Sequence, residues 1–399
     1  MSRQKGTKPA GLYIHIPFCQ SKCGYCSFVM TTRGRGDDQL RLSLLEAIEL
    51  ELIHQLNRYG ISQNLQTLYI GGGTPSQLSA AEIDFLFHII KKHLPSTQWQ
   101  EITFECNPED ISKRPEIINQ LNKHEVSRLS VGIQSMSPKG LSVLDRLAHR
   151  EQINELTKWL PKEFSGSLSY DFILAWPEQD LAELLKYDIA FLESNQCQHI
   201  SSYLLNIEEK TKIYHSLKKG RIESCSEDIS TSIWLKWQSC LKELDYEHYE
   251  ISNFCKKGHF SLHNTLTWRG FEYLGVGPGA VSQIGNVRWS NSGRLSYYMD
   301  KLKAKKSPVQ SAEYLTTEIQ WQEALMLGLR HREGLSMPDY HHKHNLNISK
   351  ILSQDFQELC AKGFLSICQE NVKFTEEGWL FFDDIITDLM LKLENSKIM

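Results

Sequence analysis

Gly11-Leu12-Tyr13-Ile14-His15-Ile16-Pro17-Phe18-Cys19-Gln20-Ser21-Lys22-Cys23-Gly24-Tyr25-Cys26 reads as a short strand running into a loop that carries three thiols. Leu12 to Ile16 is rich in β-formers, and Pro17 closes the run because it has no N–H for a ladder. The cysteines are spaced C-x3-C-x2-C. Iron–sulfur clusters normally take four cysteine thiolates. A loop that supplies Cys19, Cys23 and Cys26 holds three irons and leaves the fourth without a protein ligand nearby. An open position is what a metal centre needs to bind a substrate or cofactor directly. Spacing alone leaves two other readings open: a zinc site, which would want a fourth Cys or His, and chance clustering. His15 is near, but on the strand that the loop leaves behind.

Outward from this stretch, strand-like and helix-like runs alternate to about residue 206. Asp38 to Tyr59 predicts a helix with Leu40, Leu44, Leu45, Ile48 and Leu52 on its apolar stripe and Gly60 as cap. Thr67 to Ile70, Ile102 to Phe104, Arg128 to Gln134, Leu168 to Leu174 and Ile200 to Leu205 read as strands. Ser79 to Leu94, Pro115 to Lys123, Pro138 to Leu147 and Leu181 to Glu193 read as helices, and Ser79 with Glu82 has capping-box spacing. Alternating β and α elements imply a parallel sheet with right-handed crossovers. Six units fit an incomplete (β/α)6 barrel, although a doubly wound sheet has the same local pattern. In a barrel, the cysteine loop follows the first strand at the carboxyl-end face, where active sites lie.

Past residue 206 the alternation loosens. Asp228 to Leu244 reads as a helix and Tyr246 to Ser252 as a strand, while 255–295 looks like functional loops or a lid. Lys301 to Ser307 is a candidate boundary, giving a barrel with its extension over 1–300 and an accessory domain over 308–399. In the latter, Glu318 to Arg330, Ser349 to Lys362 and Gly378 to Leu391 read as helices. Gly363 to Ile367 and Val372 to Phe374 form a candidate hairpin. Helices followed by a hairpin suggest a small α+β, winged-helix-like domain.

Composition narrows the function. The 399 residues carry a formal net charge of −4, which argues against a general nucleic-acid binder. The polar start MSRQKGTKPA contains no apolar signal region, and no run of about 18 apolar residues appears, so a cytoplasmic protein with no membrane span is expected. Ten cysteines in a reducing compartment read as ligands, catalytic groups or core residues rather than a disulfide framework.

Gly71-Gly72-Gly73-Thr74-Pro75 follows the second strand. Glycines let the backbone approach a ligand, and exposed N–H and C=O groups suit a zwitterion. Nothing here matches a P-loop or a dinucleotide fingerprint. Glu105, Gln134 and Asp171 recur at or near later strand ends, with Arg146 on the following helix. Together they place polar groups around one rim, as a polar cofactor requires.

These runs resemble the radical S-adenosylmethionine (SAM) superfamily, in its coproporphyrinogen-dehydrogenase-like branch. The matching segments are Gly11 to Cys19, Cys23 to Cys26, Tyr69 to Ser76, Phe104 to Pro108 and Ser130 to Ser135. The resemblance implies a 4Fe–4S cluster on Cys19, Cys23 and Cys26. It implies SAM against Tyr13, Tyr25, Gly72, Gly73 and Thr74, with Glu105, Gln134, Arg146 and Asp171 completing that pocket. It also implies an electron donor for the cluster. Only 18 residues precede Cys19, and Phe28 stands where the dehydrogenases have a cysteine. Both features resemble the HemW-type heme chaperones, which implies a heme or related tetrapyrrole as ligand and acceptor hemoproteins, respiratory enzymes among them, as partners. Porphyrinogen chemistry, such as coproporphyrinogen III dehydrogenation, is the alternative. His263 would be the axial heme ligand, in an H-N-x-x-Y-W motif whose tyrosine is here Thr267. Trp176 replaces a usual aliphatic residue and is expected to add bulk near the site.

Overall fold

The computed structural model describes residues 10–33, 36–61 and 65–395. The start read above for a leader lies mostly at residues 1–9, outside the described residues. Six strands are laid side by side and all parallel: β1 (Gly11–Ile16), β2 (Thr67–Gly72), β3 (Glu101–Cys106), β4 (Arg128–Gln134), β5 (Ser167–Leu174) and β6 (His199–Leu204). Each crossover carries helix, including Asp38–Tyr59 and Ala80–His93. The latter opens on the capping box of Ser79 and Glu82.

The strands alternate strictly. Leu12, Ile14, Leu68, Ile70, Phe104, Leu129, Val131 and Phe172 are fully buried under the helices. The intervening positions, such as Tyr69, Glu105, Ser130 and Asp171, share the other face and bond one another across strands. A parallel sheet usually buries apolar residues on both faces. Here one face is a polar lumen, and that lumen is the raw material of the site.

The barrel stays open. Four strands that the sequence reading assigned to loops, or to a second domain, extend the sheet beyond β1. After β7 (Glu247–Glu250) and β8 (Asn253–Cys255) come β9 (Tyr273–Val276), β10 (Val281–Ile284), β11 (Val287–Asn291) and β12 (Val309–Tyr314). The sheet runs β12-β11-β10-β9-β1-β2-β3-β4-β5-β6-β8-β7, with β9 parallel to β1 and β8 antiparallel to β6. Residues 255–295 are therefore not mainly loop or lid: they hold three strands and the helix Leu262–Trp268. Strands of four or five residues are too short to show a period; β9 is stabilised by pairing with β1, and β10 and β11 follow from β9 in turn. The stretch at 301–307, read as a boundary, ends a helix and leads into β12, which pairs with β11 in the main sheet.

Three more expectations change. The helix expected to reach Leu147 ends at Val143, because Asp145 takes a left-handed φ of 55° and Arg146 N–H turns back to Leu141 O at 2.9 Å. Arg146 thus sits in a turn, not on the helix. The helix expected over 181–193 has a π-helical centre, Leu184–Ile189. It presents buried Asp188 to Met136 N–H at 2.6 Å and Ser135 Oγ at 3.0 Å. The strand expected over 246–252 is shorter, β7 at Glu247–Glu250, and the chain turns back after it into β8, which pairs with it antiparallel.

After β12 a second core gathers Leu325, Leu329, Phe356, Phe374 and Leu389. Helices Thr317–Leu329, Ser353–Ala361 and Phe382–Asn395 pack on a three-stranded sheet of β13 (Leu335–Ser336), β14 (Leu365–Cys368) and β15 (Asn371–Phe374). The hairpin read from the sequence is the β14–β15 pair.

One buried carboxylate fastens the extension to the barrel. Glu51, on the first helix, accepts Gly277 N–H at 2.9 Å, Tyr298 Oη at 2.6 Å and Asn291 Nδ2 at 2.7 Å. Glu51→Ala leaves two buried donors, Gly277 N–H and Tyr298 Oη, without an acceptor, each costing about 1–3 kcal/mol, and leaves Asn291 Nδ2 only Gly277 O, at 2.9 Å. The variant is expected to lose about 3 kcal/mol or more in urea unfolding, and a wild-type midpoint would show that this latch does not hold the extension.

Candidate cofactor site at the barrel mouth

The carboxyl ends of the parallel strands surround a cavity of about 460 Å³. Cys19, Cys23, Cys26 and Tyr25 line it from the first loop, Gly72, Gly73 and Thr74 from the second, and Glu105, Gln134, Arg146 and Asp171 from the rest. The position of each follows from local structure. Gly72 has φ of 123°, and a Cβ on it would stand 2.8 Å from the His15 ring. A Cβ on Gly73 would stand 2.7 Å from the Pro17 carbonyl. The glycine run therefore lets β2's exit press against the root of the cysteine loop. Gln134 ends β4 with φ of 68° just after a register shift. That strained conformation turns its side chain into the cavity.

Arg146 organises one wall. Its Nη1 donates to Cys23 Sγ at 3.4 Å, and its Nη2 donates to Asn107 Oδ1 at 3.0 Å and Gly132 O at 2.8 Å. Its buried Nε has no partner among the described residues. Cys19 Sγ lies 3.4 Å from Thr74 Oγ1. Burial pushes the Cys19 thiol up to about 12 and the Cys26 thiol upward, so both need a neighbouring cation before they ionise. Among the described residues, no group of three or more His, Cys, Asp or Glu side chains is gathered as for a single metal ion. A 4Fe–4S cluster takes one thiolate per iron, so its ligands stand around a larger body. The donor set fits that cluster: three thiols face one cavity, and an unpaired guanidinium N–H lies beside them.

Glu105 forms the opposite wall. It accepts Tyr69 Oη at 2.7 Å and Gly72 N–H at 3.0 Å. Asp171, in mid-strand rather than at the strand end, accepts Ser130 Oγ at 2.9 Å. Burial drives Glu105 up to about 7 and holds Asp171 above the usual carboxylate range.

Tyr13 and His263 do not line this cavity. They face a second one of about 520 Å³, on the β1–β9 side of the lumen, with His15, Phe28, Val29, Tyr69 and Trp268. Tyr13 Oη bonds His15 Nδ1 at 2.9 Å, and His15 Nε2 bonds Val29 O at 2.8 Å. Ser27 and Phe28 line both cavities. His263 Nδ1 bonds Thr67 Oγ1 at 2.8 Å, and among the described residues nothing hydrogen-bonds its Nε2. Burial lowers its pKa to about 4, so it stands as neutral imidazole, the metal-binding form. The helix bearing it is seated on buried Glu101, which accepts the N–H groups of Leu262 at 2.7 Å and His263 at 3.0 Å. Thr267 lines the cavity while its Oγ1 donates back to His263 O at 3.0 Å. Trp176 lines neither cavity: it is fully buried with Leu144, Ile173 and Ile213. Its bulk therefore fills a core that backs the cavity wall, beside Ile173 and Tyr25, and does not enter the cavity.

Thr67, Tyr69, Glu101 and Asn107 are the contributors that motif reasoning missed. Their signal was the polar residue at every second strand position.

Glu105 offers a direct check on this burial. A carboxyl raised from 4.5 to about 7 on folding favours the native state below the lower value, and that contribution is lost as pH rises through the upper one. Glu105→Gln has no such titration and keeps an acceptor for Tyr69. The cofactor-free variant is expected to gain up to about 3 kcal/mol on wild type between pH 5 and pH 8, read by urea unfolding at both. A gap that stays flat with pH would contradict the burial.

Comparison with known proteins agrees with this geometry. Residues 13–187 match the Radical SAM superfamily model and residues 315–381 the HemN C-terminal domain model. The heme chaperone HemW of Bacillus subtilis is 30% identical over 374 residues, 94% of this chain and 97% of that protein. HemW of Lactococcus lactis is 29% identical, covering 96% of this chain and 98% of its own. Coproporphyrinogen III oxidase (HemN) from Escherichia coli, a radical SAM enzyme, shares the fold at TM-score 0.81 and 20% identity, over 96% of this chain and 90% of that one. Radical SAM membership implies a 4Fe–4S cluster and SAM. No described helix is long and apolar enough to cross a membrane. On its sequence, its fold and the site they build, the chain belongs to the HemW family of the radical SAM superfamily.

Proposed function

We propose that this chain binds heme, or a closely related tetrapyrrole, in the second cavity and hands it to acceptor hemoproteins, respiratory enzymes among them. Cys19, Cys23 and Cys26 hold the 4Fe–4S cluster beside it. Gly72, Gly73, Thr74, Tyr25, Glu105, Gln134, Arg146 and Asp171 hold SAM. When bound and reduced by an external electron donor, the cluster supplies one electron to SAM. The relatives in Bacillus subtilis and Lactococcus lactis are named heme chaperones, which supports this reading. The observation that carries it is the setting of His263: a neutral imidazole, clamped at Nδ1, with Nε2 uncommitted, on the wall of a cavity of about 520 Å³. That volume lies within the usual range for cofactor sites, and imidazole is the commonest protein ligand for heme iron.

The residues around the cavity divide the work. Thr67 fixes the His263 ring and Glu101 fixes its helix. Phe28, Val29 and Val281 offer apolar surface for the tetrapyrrole body. Tyr13 sits under the same face, held by His15.

Anaerobic titration of the reconstituted chain with heme tests the reading. The wild type is expected to bind one heme with a sharp Soret band. His263→Ala is expected to weaken binding tenfold or more and to shift the band, while iron and sulfide content stay at wild-type level. An unchanged Soret band in the variant would remove His263 from the site. The same preparation, incubated with SAM, a reductant and coproporphyrinogen III, is expected to form no protoporphyrinogen; its formation would favour the dehydrogenase reading instead.

A further inference from the structure

The two cavities share Ser27 and Phe28 at the cysteine loop and are linked a second time through the strands, by Tyr69. Tyr69 lines the His263 cavity and not the cysteine cavity, whereas Glu105 lines the cysteine cavity and not the other. The bond from Tyr69 Oη to Glu105 Oε1, 2.7 Å long, crosses the wall between them. On one side of the wall, the Tyr69 ring lies tilted by 43° against His263 with centroids 5.1 Å apart, and meets Tyr13 at 6.0 Å. On the other, the second oxygen of the same carboxylate accepts Gly72 N–H at 3.0 Å. Tyr69 therefore touches the proposed heme ligand with its ring and a SAM-pocket carboxylate with its hydroxyl.

We infer that Tyr69 is a positioning residue through which SAM and the tetrapyrrole strengthen each other's binding. The inference rests on the reading that heme occupies the His263 cavity. A flat ligand seated on His263 packs against the Tyr69 ring and removes its freedom to tilt. The hydroxyl is then fixed on Glu105, and Glu105 is fixed against Gly72, where SAM arrives. SAM bound first orders the same chain from the other end. Whichever ligand binds second finds Tyr69 already ordered, which is positive coupling without any large movement. Linkage makes the two effects equal in size.

The test uses full-length, cluster-reconstituted protein with the cluster kept oxidised, so that SAM is bound and not cleaved. Heme affinity is read from the Soret band with and without saturating SAM. SAM affinity is read by equilibrium dialysis with and without heme. Saturating SAM is expected to tighten heme binding roughly fivefold or more, the lower end of typical coupling, with heme tightening SAM by the same factor. Tyr69→Phe keeps the ring and deletes only the hydroxyl. It is expected to lose the mutual enhancement, read as the ratio of each ligand's affinity with and without the other. Should that variant fail to fold, Glu105→Asp withdraws the carboxylate from the same hydroxyl and is expected to lose the enhancement as well. A wild type that binds both ligands independently overturns the inference and leaves the heme-binding reading standing. So does a Tyr69→Phe variant that keeps the full enhancement. A wild type that binds no heme overturns both.

Discussion

The polar lumen is the constraint from which the rest follows. Six parallel strands put Thr67, Tyr69, Glu101, Glu105, Arg128, Ser130, Ser169, Asp171 and His199 on one concave face. Groups taken out of water must find partners or lose stability. They find them mostly across the strands. Arg128, 4% exposed, donates to Ser169 Oγ and to His199 Nδ1, both at 3.0 Å. His199 Nε2 therefore carries the proton and donates to Tyr249 Oη at 2.9 Å. Tyr249 Oη also accepts Ser261 N–H at 3.2 Å, at the start of the helix that bears His263. Carboxyl groups outnumber guanidinium groups here: at the mouth Glu105, Glu109, Asp171 and Glu208 face Arg146 alone, and deeper in the lumen Glu101 lies with Arg128. A cationic ligand at the mouth is thus favoured over an anionic one, and the sulfonium of SAM has that charge.

The same economy explains where His263 stands. Its helix is only seven residues long, Leu262–Trp268, and such a helix is marginal on its own. Glu101 receives two of its first N–H groups, and Ser261 caps a third. At the other end Arg330, from the C-terminal unit, lies 4.5 Å over the Trp268 ring and pairs with Glu250 at 3.4 Å. The motif is therefore held at its N-terminus by the lumen and at its C-terminus by the accessory unit. That arrangement accounts for why a short helix on the sheet's concave side can present an imidazole in a fixed direction.

Much of this was legible in the residues. The cysteine spacing, the six strand–helix units and the Ser79–Glu82 box all rest on short-range patterns with a local cause. The C-terminal hairpin does too. What escaped depended on partners far away in the chain. β9 exists because β1 is there to pair with it, and its four residues show no pattern alone. Arg146 leaves its helix because Asp145 adopts a left-handed turn, which no spacing rule forces. Tyr13, quoted with the SAM residues, faces the His263 cavity instead, because strand periodicity puts it beside Tyr69. Trp176 looked close to the site on a linear reading. The chain turns beyond β5, with Ala175 at φ of 53°, and buries the indole behind the cavity wall, in a cluster with Ile173 against which Tyr25 packs.

The openness of the barrel is what allows two ligands rather than one. A closed eight-stranded barrel fills its interior with its own side chains. Here the sheet never closes: β6 is followed by antiparallel β8, and β1 is flanked by β9. The gap leaves the lumen accessible along its side as well as at its mouth. The mouth carries the thiols and the carboxylates, while the side carries His263 and the aromatic rings of Tyr13, Tyr69 and Trp268. Polar and apolar demands that would compete in a single cavity are thus separated by one strand's width. The residues that separate them, Ser27 and Phe28 above and Tyr69 below, lie on the loop and the strand that shape both sites. A change at this divider is felt on both sides, which sets it apart from changes on either outer wall.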